Sequence, residues 1–407
     1  MRFIGGKGSH RSVLIPAAAA VLIAVAVTVT VVVLDKPRPF PPAATATPTP
    51  ASNAPSEPPP PAGVEAGCAK LDAAVANWSL RQKLAQLLMV GVTGIDDARA
   101  VVARDDVGGI MINSGTGRDM LGDGALRVLR ANSGSLPLAV SVDEEGGRVQ
   151  RLKSLLGDQP SARELVLEHA TVQQVHDIAL TRGILMRNFG ITVDFAPVVD
   201  VTADPDETVI GDRSFSADPA TVVAYAGAYA QGLRDAGLLP VLKHFPGHGH
   251  ASGDSHKGSV TTPPLDDLMA LDLIPYRELS AQHPVGVMVG HMQVPDLTGS
   301  DPASLSAAAY SLLRQGGYGG PPFTGPIFTD DLSSMGAINQ LYSVPDAALR
   351  ALQAGADIAL WTTTDQVPAV LDRLEQAVNA HELDMARVDD ALSHVAAAKD
   401  PELACVR

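Results

Sequence analysis

Eight short apolar runs punctuate the chain. They fall at residues 86–92 (QLLMVGV), 107–113 (VGGIMIN), 136–143 (LPLAVSVD), 193–201 (VDFAPVVDV), 240–244 (PVLKH), 285–291 (VGVMVGH), 326–330 (PIFTD) and 357–361 (DIALW). Most are solidly apolar rather than alternating, the pattern of parallel strands buried on both faces. The intervening segments carry helical periodicity, notably 219–236, 264–280 and 365–380. Asp218 is placed to cap the first of these, and Pro219 suits its first position. Eight strand–helix repeats predict an α/β chain folded as a single (β/α)8 TIM-type barrel over residues 67–407. A doubly wound open sheet is the alternative, but no glycine-rich phosphate loop follows the first run.

In such a barrel the carboxyl ends of the strands form the mouth of the site. Five runs end in polar or ionisable residues: Asn113, Asp143, Lys243 with His244, His291 and Asp330. A polar site at one rim is therefore expected.

The residues before the barrel have another texture. Arg2, Lys7 and Arg11 precede a 23-residue apolar run at 12–34. That is enough helix to cross a hydrocarbon core of roughly 30 Å, and longer than a signal-peptide core of about 7–15 residues. Residues 1–34 are expected to be a signal peptide or, in preference, an uncleaved membrane anchor, with the remainder exported. Residues 35–66 are rich in proline and predict an extended linker. The formal net charge of -15 opposes nucleic-acid binding, which needs cations against phosphate. Cys68 and Cys405 form no C-x-x-C motif. Barrel closure brings the first and last elements together and export permits oxidation, so a Cys68–Cys405 disulfide is expected.

Four of the eleven histidines lie in KHFPGHGHASGDSH, residues 243–256. A zinc site is one reading. Pro246, Gly247 and Gly249 oppose the helix that would align His244 with His248, and no H-E-x-x-H is present. A proton-transfer site is the other. Asp254 two residues before His256 can fix the imidazole tautomer and raise its basicity. Neither a metal nor an organic cofactor is expected.

These residues belong to a longer match. KHFPGHG followed by DSH resembles the signature of the glycoside hydrolase family 3 β-N-acetylglucosaminidases, the NagZ-like enzymes. DEEGGRVQR at 143–151, VDFAPVVDV at 193–201, IGDRSF at 210–215 and TDDLSSMGA at 329–337 are similar too, in order, from about Leu71 to Ala397. The resemblance implies a retaining exo-β-N-acetylglucosaminidase that releases terminal β-linked N-acetylglucosamine from peptidoglycan-derived fragments through a covalent glycosyl–enzyme intermediate. It implies Asp330, rather than Asp331, as nucleophile, with Asp254 and His256 as the acid/base pair. Asp143, Arg151, Arg213, Lys243 and His244 are implied to hold the sugar hydroxyls. It further implies the single-domain subgroup. The expected partner is a carbohydrate, with membrane contact through the N-terminal segment only and a monomeric state.

Alternatives stand beside these expectations. One alternative passes the sugar to phosphate instead of water, another is a broader β-glucosidase-type activity, and a third is a module that binds wall material without catalysis. Lys243 is also open to a purely structural pairing with Asp143. His248 and His250 read as loop residues, Met335 as packing, and Trp361 as either core or a sugar-stacking platform. His291 is a rim residue of undefined role.

Overall fold

The computed structural model describes residues 62–134 and 136–405. The expected leader, 1–34, and most of the expected linker lie outside the described residues. The first described helix, Ala62–Val75, starts inside the range assigned to the linker. No proline follows Pro61 until well past this helix, and alanines dominate it. Among the described residues no helix is long and apolar enough to cross a membrane.

Eight parallel strands make one sheet: β1 (Leu88–Gly91), β2 (Gly109–Ile112), β3 (Ala139–Val142), β4 (Val193–Asp194), β5 (Leu239–Phe245), β6 (Gly286–Val289), β7 (Ile327–Thr329) and β8 (Ala359–Trp361). Their spatial order is β7-β6-β5-β4-β3-β2-β1-β8. The register pairs Met89 with Leu360 across β1 and β8, and Met89 with Gly109 across β1 and β2. A parallel bridge between Phe328 and Ile358 brings β8 back to β7, and the Thr329 N–H donates to the Ile358 carbonyl at 3.0 Å. The ring is therefore a (β/α)8 barrel, as the eight runs predict. Almost every strand residue is buried, because helices cover the outside and side chains fill the inside.

Local chemistry sets the helix ends. Asp218 accepts from the N–H groups of Ala220 and Thr221 and starts the helix Pro219–Asp235. Thr171 and Gln174 form a capping box before Val172–Phe189, which ends at Gly190 in the left-handed region. These two helices pack closely at Gly232, where a Cβ would meet the His176 carbonyl oxygen at 2.3 Å. The helix expected over 264–280 is instead two, Leu265–Ala270 and Ile274–Leu279. Pro275 has no N–H to donate and its ring excludes the preceding turn, so it begins a helix rather than continuing one. The strand expected over 193–201 is likewise brief, because Pro197 cannot donate to a ladder. Trp361 is fully buried in the core, which excludes it from sugar stacking.

Cys68 and Cys405 are joined, with Cα atoms 4.6 Å apart. The last barrel turn is held by a buried carboxylate. Asp357 accepts from the Ile327 N–H at 2.9 Å and from Arg387 at 2.7 Å, and also pairs with Arg314 and His394. Burial opposes its charge, but Arg314, His394 and Arg387 outweigh it and hold the carboxyl well below the usual range. Its stabilising contribution is complete above the unfolded value of about 3.9 and is lost only as pH falls through the lower folded value. Asp357→Asn leaves Arg314 without a carboxylate partner and Arg387 with Asp390 alone, and is expected to cost about 3 kcal/mol at neutral pH. A denaturant midpoint unchanged from wild type would show that the network contributes nothing.

Candidate active site

The C-terminal end of the barrel opens into a cavity of about 930 Å³. Its lining brings together every sequence-predicted site residue: Asp143, Arg151, Arg213, Lys243, His244, Asp254, His256 and Asp330. Asp143 immediately follows β3, Lys243 and His244 lie within β5, and Asp330 immediately follows β7. The apolar strand bodies thus fix where each ionisable end group projects.

The floor is a charged lattice. Lys243 Nζ lies 2.7 Å from Asp143 and 2.6 Å from Glu145. Arg213 grips Glu145 with two bonds of 2.7 and 2.8 Å. The sequence reading missed Glu145. Its signal is the two-residue period after Asp143: Asp143 and Glu145 face the cavity, whereas Glu144 turns into the wall against Arg182. Burial works against the Glu145 carboxylate, but Arg213 and Lys243 hold it far below the ordinary range. Burial also works against the Lys243 ammonium, yet Asp143 and Glu145 raise it overall. The pairing of Lys243 with Asp143 is real, and it leaves both groups in the cavity lining. Arg151 reaches the same cavity with its buried Nε free of any partner among the described residues.

A second carboxylate missed in the sequence, Asp200, organises the KHFPGHG loop. It accepts from the backbone N–H of His248 at 2.7 Å and of His244 at 3.2 Å, and meets His244 Nδ1 at 2.7 Å. With Nδ1 engaged there, His244 Nε2 faces Arg213 Nη2 at 3.4 Å. Gly249 is obligatory, since a Cβ would lie 2.1 Å from the Val201 carbonyl oxygen. The loop histidines take separate partners. His250 meets Asp272 at 3.0 Å and His248 meets the Ser255 hydroxyl at 3.0 Å. Burial and the neighbouring His244 bring His248 down to about 4, so it is neutral at pH 7.

Ser255 belongs to the turn that carries Asp254 and His256. Asp254 Oδ1 meets His256 Nδ1 at 2.9 Å and accepts the His256 N–H at 3.0 Å. Burial pushes the Asp254 carboxyl up, but bonds from the His256 side chain and backbone and from Lys257 bring it below its usual value. The turn is tied to the segment after β7: the N–H groups of Gly336 and Ala337 donate to the carbonyls of His256 and Ser255 at 3.0 Å. The His256 ring, 57% exposed, therefore edges the same cavity as Asp330.

Asp330 is half-buried yet ionised. Desolvation is opposed by the imidazoles of His291 and His244, by the Asp331 N–H and by His256, and the carboxyl falls to about 2. His291 does not line the cavity, contrary to the rim position read from its strand end. It sits behind Asp330, with Nε2 2.9 Å from the Asp331 carbonyl and Nδ1 2.7 Å from the Ser304 hydroxyl. Asp331 is occupied locally, accepting from the backbone and hydroxyl groups of Ser333 and Ser334.

A barrel whose rim gathers an isolated ionised carboxylate, an imidazole–carboxylate pair and a charged cradle has the parts of a glycoside hydrolase. Residues 79–398 match the glycosyl hydrolase family 3 N-terminal domain, and the chain belongs to that family. The β-hexosaminidase LpqI of Mycobacterium tuberculosis is 63% identical over 358 residues, covering 88% of this chain and 92% of the relative. A solved family 3 glycosyl hydrolase from Mycobacterium smegmatis is 68% identical with a TM-score of 0.79, over 80% of this chain and 99% of that one. A family 3 β-N-acetylglucosaminidase structure from Paenibacillus is 32% identical with a TM-score of 0.73, over 80% of this chain and 63% of that one. The chain is a family 3 glycoside hydrolase of the β-hexosaminidase type.

Proposed function

We propose that this enzyme is a retaining exo-β-N-acetylglucosaminidase that acts on terminal β-linked N-acetylglucosamine in peptidoglycan-derived fragments. The meeting of Asp330 with the Asp254–His256 pair in one cavity carries this reading. Asp330 attacks the anomeric carbon as a carboxylate, and the Asp331 N–H at 2.8 Å on its Oδ1 leaves the other oxygen to react. His256 protonates the departing glycosidic oxygen through Nε2, because Nδ1 is engaged by Asp254. The same imidazole then takes a proton from water as the glycosyl–Asp330 ester is hydrolysed. Lys243, Arg213 and Arg151 donate to sugar hydroxyls, Asp143 accepts, and His244 completes the cradle. Glu145 holds both Arg213 and Lys243 in register for that task.

The disulfide suits an oxidising compartment and so supports export. In this reading residues 1–34 export the enzyme, as an anchor or a cleaved leader, the proline-rich stretch spaces it from the membrane, and a monomer acts on carbohydrate outside.

Proton NMR of the first product from a β-N-acetylglucosaminide decides the stereochemistry. The β-anomer is expected to appear first and then mutarotate; initial α-anomer overturns the covalent route. Adding phosphate to the same reaction should leave the product unchanged, whereas a sugar 1-phosphate would favour the phosphorylase alternative. Glu145→Gln is expected to lower kcat/KM about 100-fold by releasing the cradle, with a raised KM as part of the loss. Unaltered steady-state parameters would remove Glu145 from the site's machinery.

A further inference from the structure

The opposite end of the barrel holds a second cavity, of about 290 Å³. The first residues of three strands, Ala139, Val193 and Leu239, line it, so it is the lower mouth, away from the rim that carries Asp330. Its floor is apolar, built from Leu138, Leu239, Phe328 and Ile358. Four half-buried cations also face it: Arg130, Arg187, Arg234 and Lys399.

Each of these cations stands in the last turn of its helix. A positive charge there complements the helix dipole, which accounts for each one singly. It does not account for four converging on one apolar cavity in a chain of net charge -15. Nor does any described residue neutralise them. Their hydrogen-bond partners among the described residues are uncharged: the Leu138 carbonyl for Arg130, the Ile191 carbonyl for Arg187, Gln231 and Gln282 for Arg234, and Gln86 for Lys399. Among the described residues no carboxylate comes within ion-pair distance of any of the four; Asp235 and Asp106 act on Arg234 and Lys399 only from farther away. The cost of this crowding is visible in the groups themselves. Burial lowers Arg130, and Arg187 beside it lowers it further. Burial, with Arg130 adding to it against the pull of Asp106, brings the Lys399 ammonium down to about 7. Cations gathered without counter-charge above an apolar floor match a ligand that brings an anionic head and an apolar body together.

We propose that this lower cavity binds a single-chain amphiphilic anion, its carboxylate or phosphate head held by Arg130, Arg187, Arg234 and Lys399 and its chain laid on Leu138, Leu239, Phe328 and Ile358. The volume admits one short chain rather than a two-chain lipid. The site is independent of the hydrolytic one, and none of its residues belongs to the catalytic cavity.

Calorimetric titration of the full chain with octanoate, octyl phosphate and octanol tests it. Both anions are expected to bind at least about tenfold more tightly than the alcohol, because only they gain charge-assisted bonds. Whichever anion binds more tightly identifies the head group. The double variant Arg130→Gln/Lys399→Gln should weaken both anions by about tenfold or more while leaving octanol binding and glycosidase turnover unchanged. If that variant does not fold, Arg234→Gln, on a more open part of the rim, should weaken both anions in the same sense. Octanol binding as tightly as octanoate, anion affinity unchanged in the variants, or no saturable binding of either anion into the millimolar range would overturn the proposal.

Discussion

Asp330→Asn is expected to lower kcat/KM by at least about 10⁴-fold, since the amide cannot form the glycosyl ester and the remaining cradle only binds. The loss should fall on kcat, with substrate affinity retained, because Lys243, Arg213 and Arg151 are untouched. The melting temperature should hold or fall slightly. The Asp330 carboxyl titrates below its unfolded value, because His291, His244 and the Asp331 N–H outweigh desolvation, so its charge contributes stability at neutral pH that asparagine gives up. The pH profile provides a second check. The Asp330 carboxyl is depressed to about 2, so it stays ionised as pH falls and protonates only in strong acid. A loss of rate in mildly acidic solution must therefore come from another group. A variant retaining wild-type turnover would move the nucleophile elsewhere, with Asp331 the first residue to test.

His256→Ala is expected to divide substrates by leaving group. With natural glycosides the rate should fall by about 10²–10⁴-fold, since an alkoxide leaves poorly without a proton. With an activated phenol, which leaves as the anion, glycosylation should change little, and loss of the base should instead slow hydrolysis of the ester. The covalent adduct should then accumulate and be detectable on Asp330 by mass spectrometry. Equal losses on both substrates, with no adduct, would leave His256 without an acid role. Asp254→Asn should show a weaker form of the same split, because it keeps a partner for His256 Nδ1 but removes the negative charge that stabilises the imidazolium.

The barrel was legible because parallel strands buried on both faces leave solid apolar runs, and each of the eight runs overlaps one strand. Positions at the site were legible for the same reason: Asp143 and Asp330 stand where an apolar strand stops. Pairings were harder to see. Lys243 meets Asp143 from 100 residues away and Arg213 meets Glu145 across 68, so which acid faces which cation depends on the ring closing. Glu145 hid beside Glu144, because adjacent residues of an extended segment point in opposite directions and composition does not say which one faces the cavity. Asp200 hid in a strand-like run that Pro197 cuts short. His291 was misplaced because a strand end gives a height along the barrel but not a direction, and this imidazole turns behind Asp330 toward Ser304. The break at Pro275 was visible in the sequence, and the helical period on either side of it masked the interruption.

The bond between Cys68 and Cys405 spans 337 residues of sequence and makes nearly the whole catalytic portion a covalent circle. A protease that clips one surface loop of such a circle opens it to a linear chain but releases no fragment. The severed ends stay attached through the sulfur bridge, and the eight-membered ring of strands can hold its register around the cut. For an enzyme proposed to work outside the cell, among other hydrolases, a single nick then becomes a survivable injury.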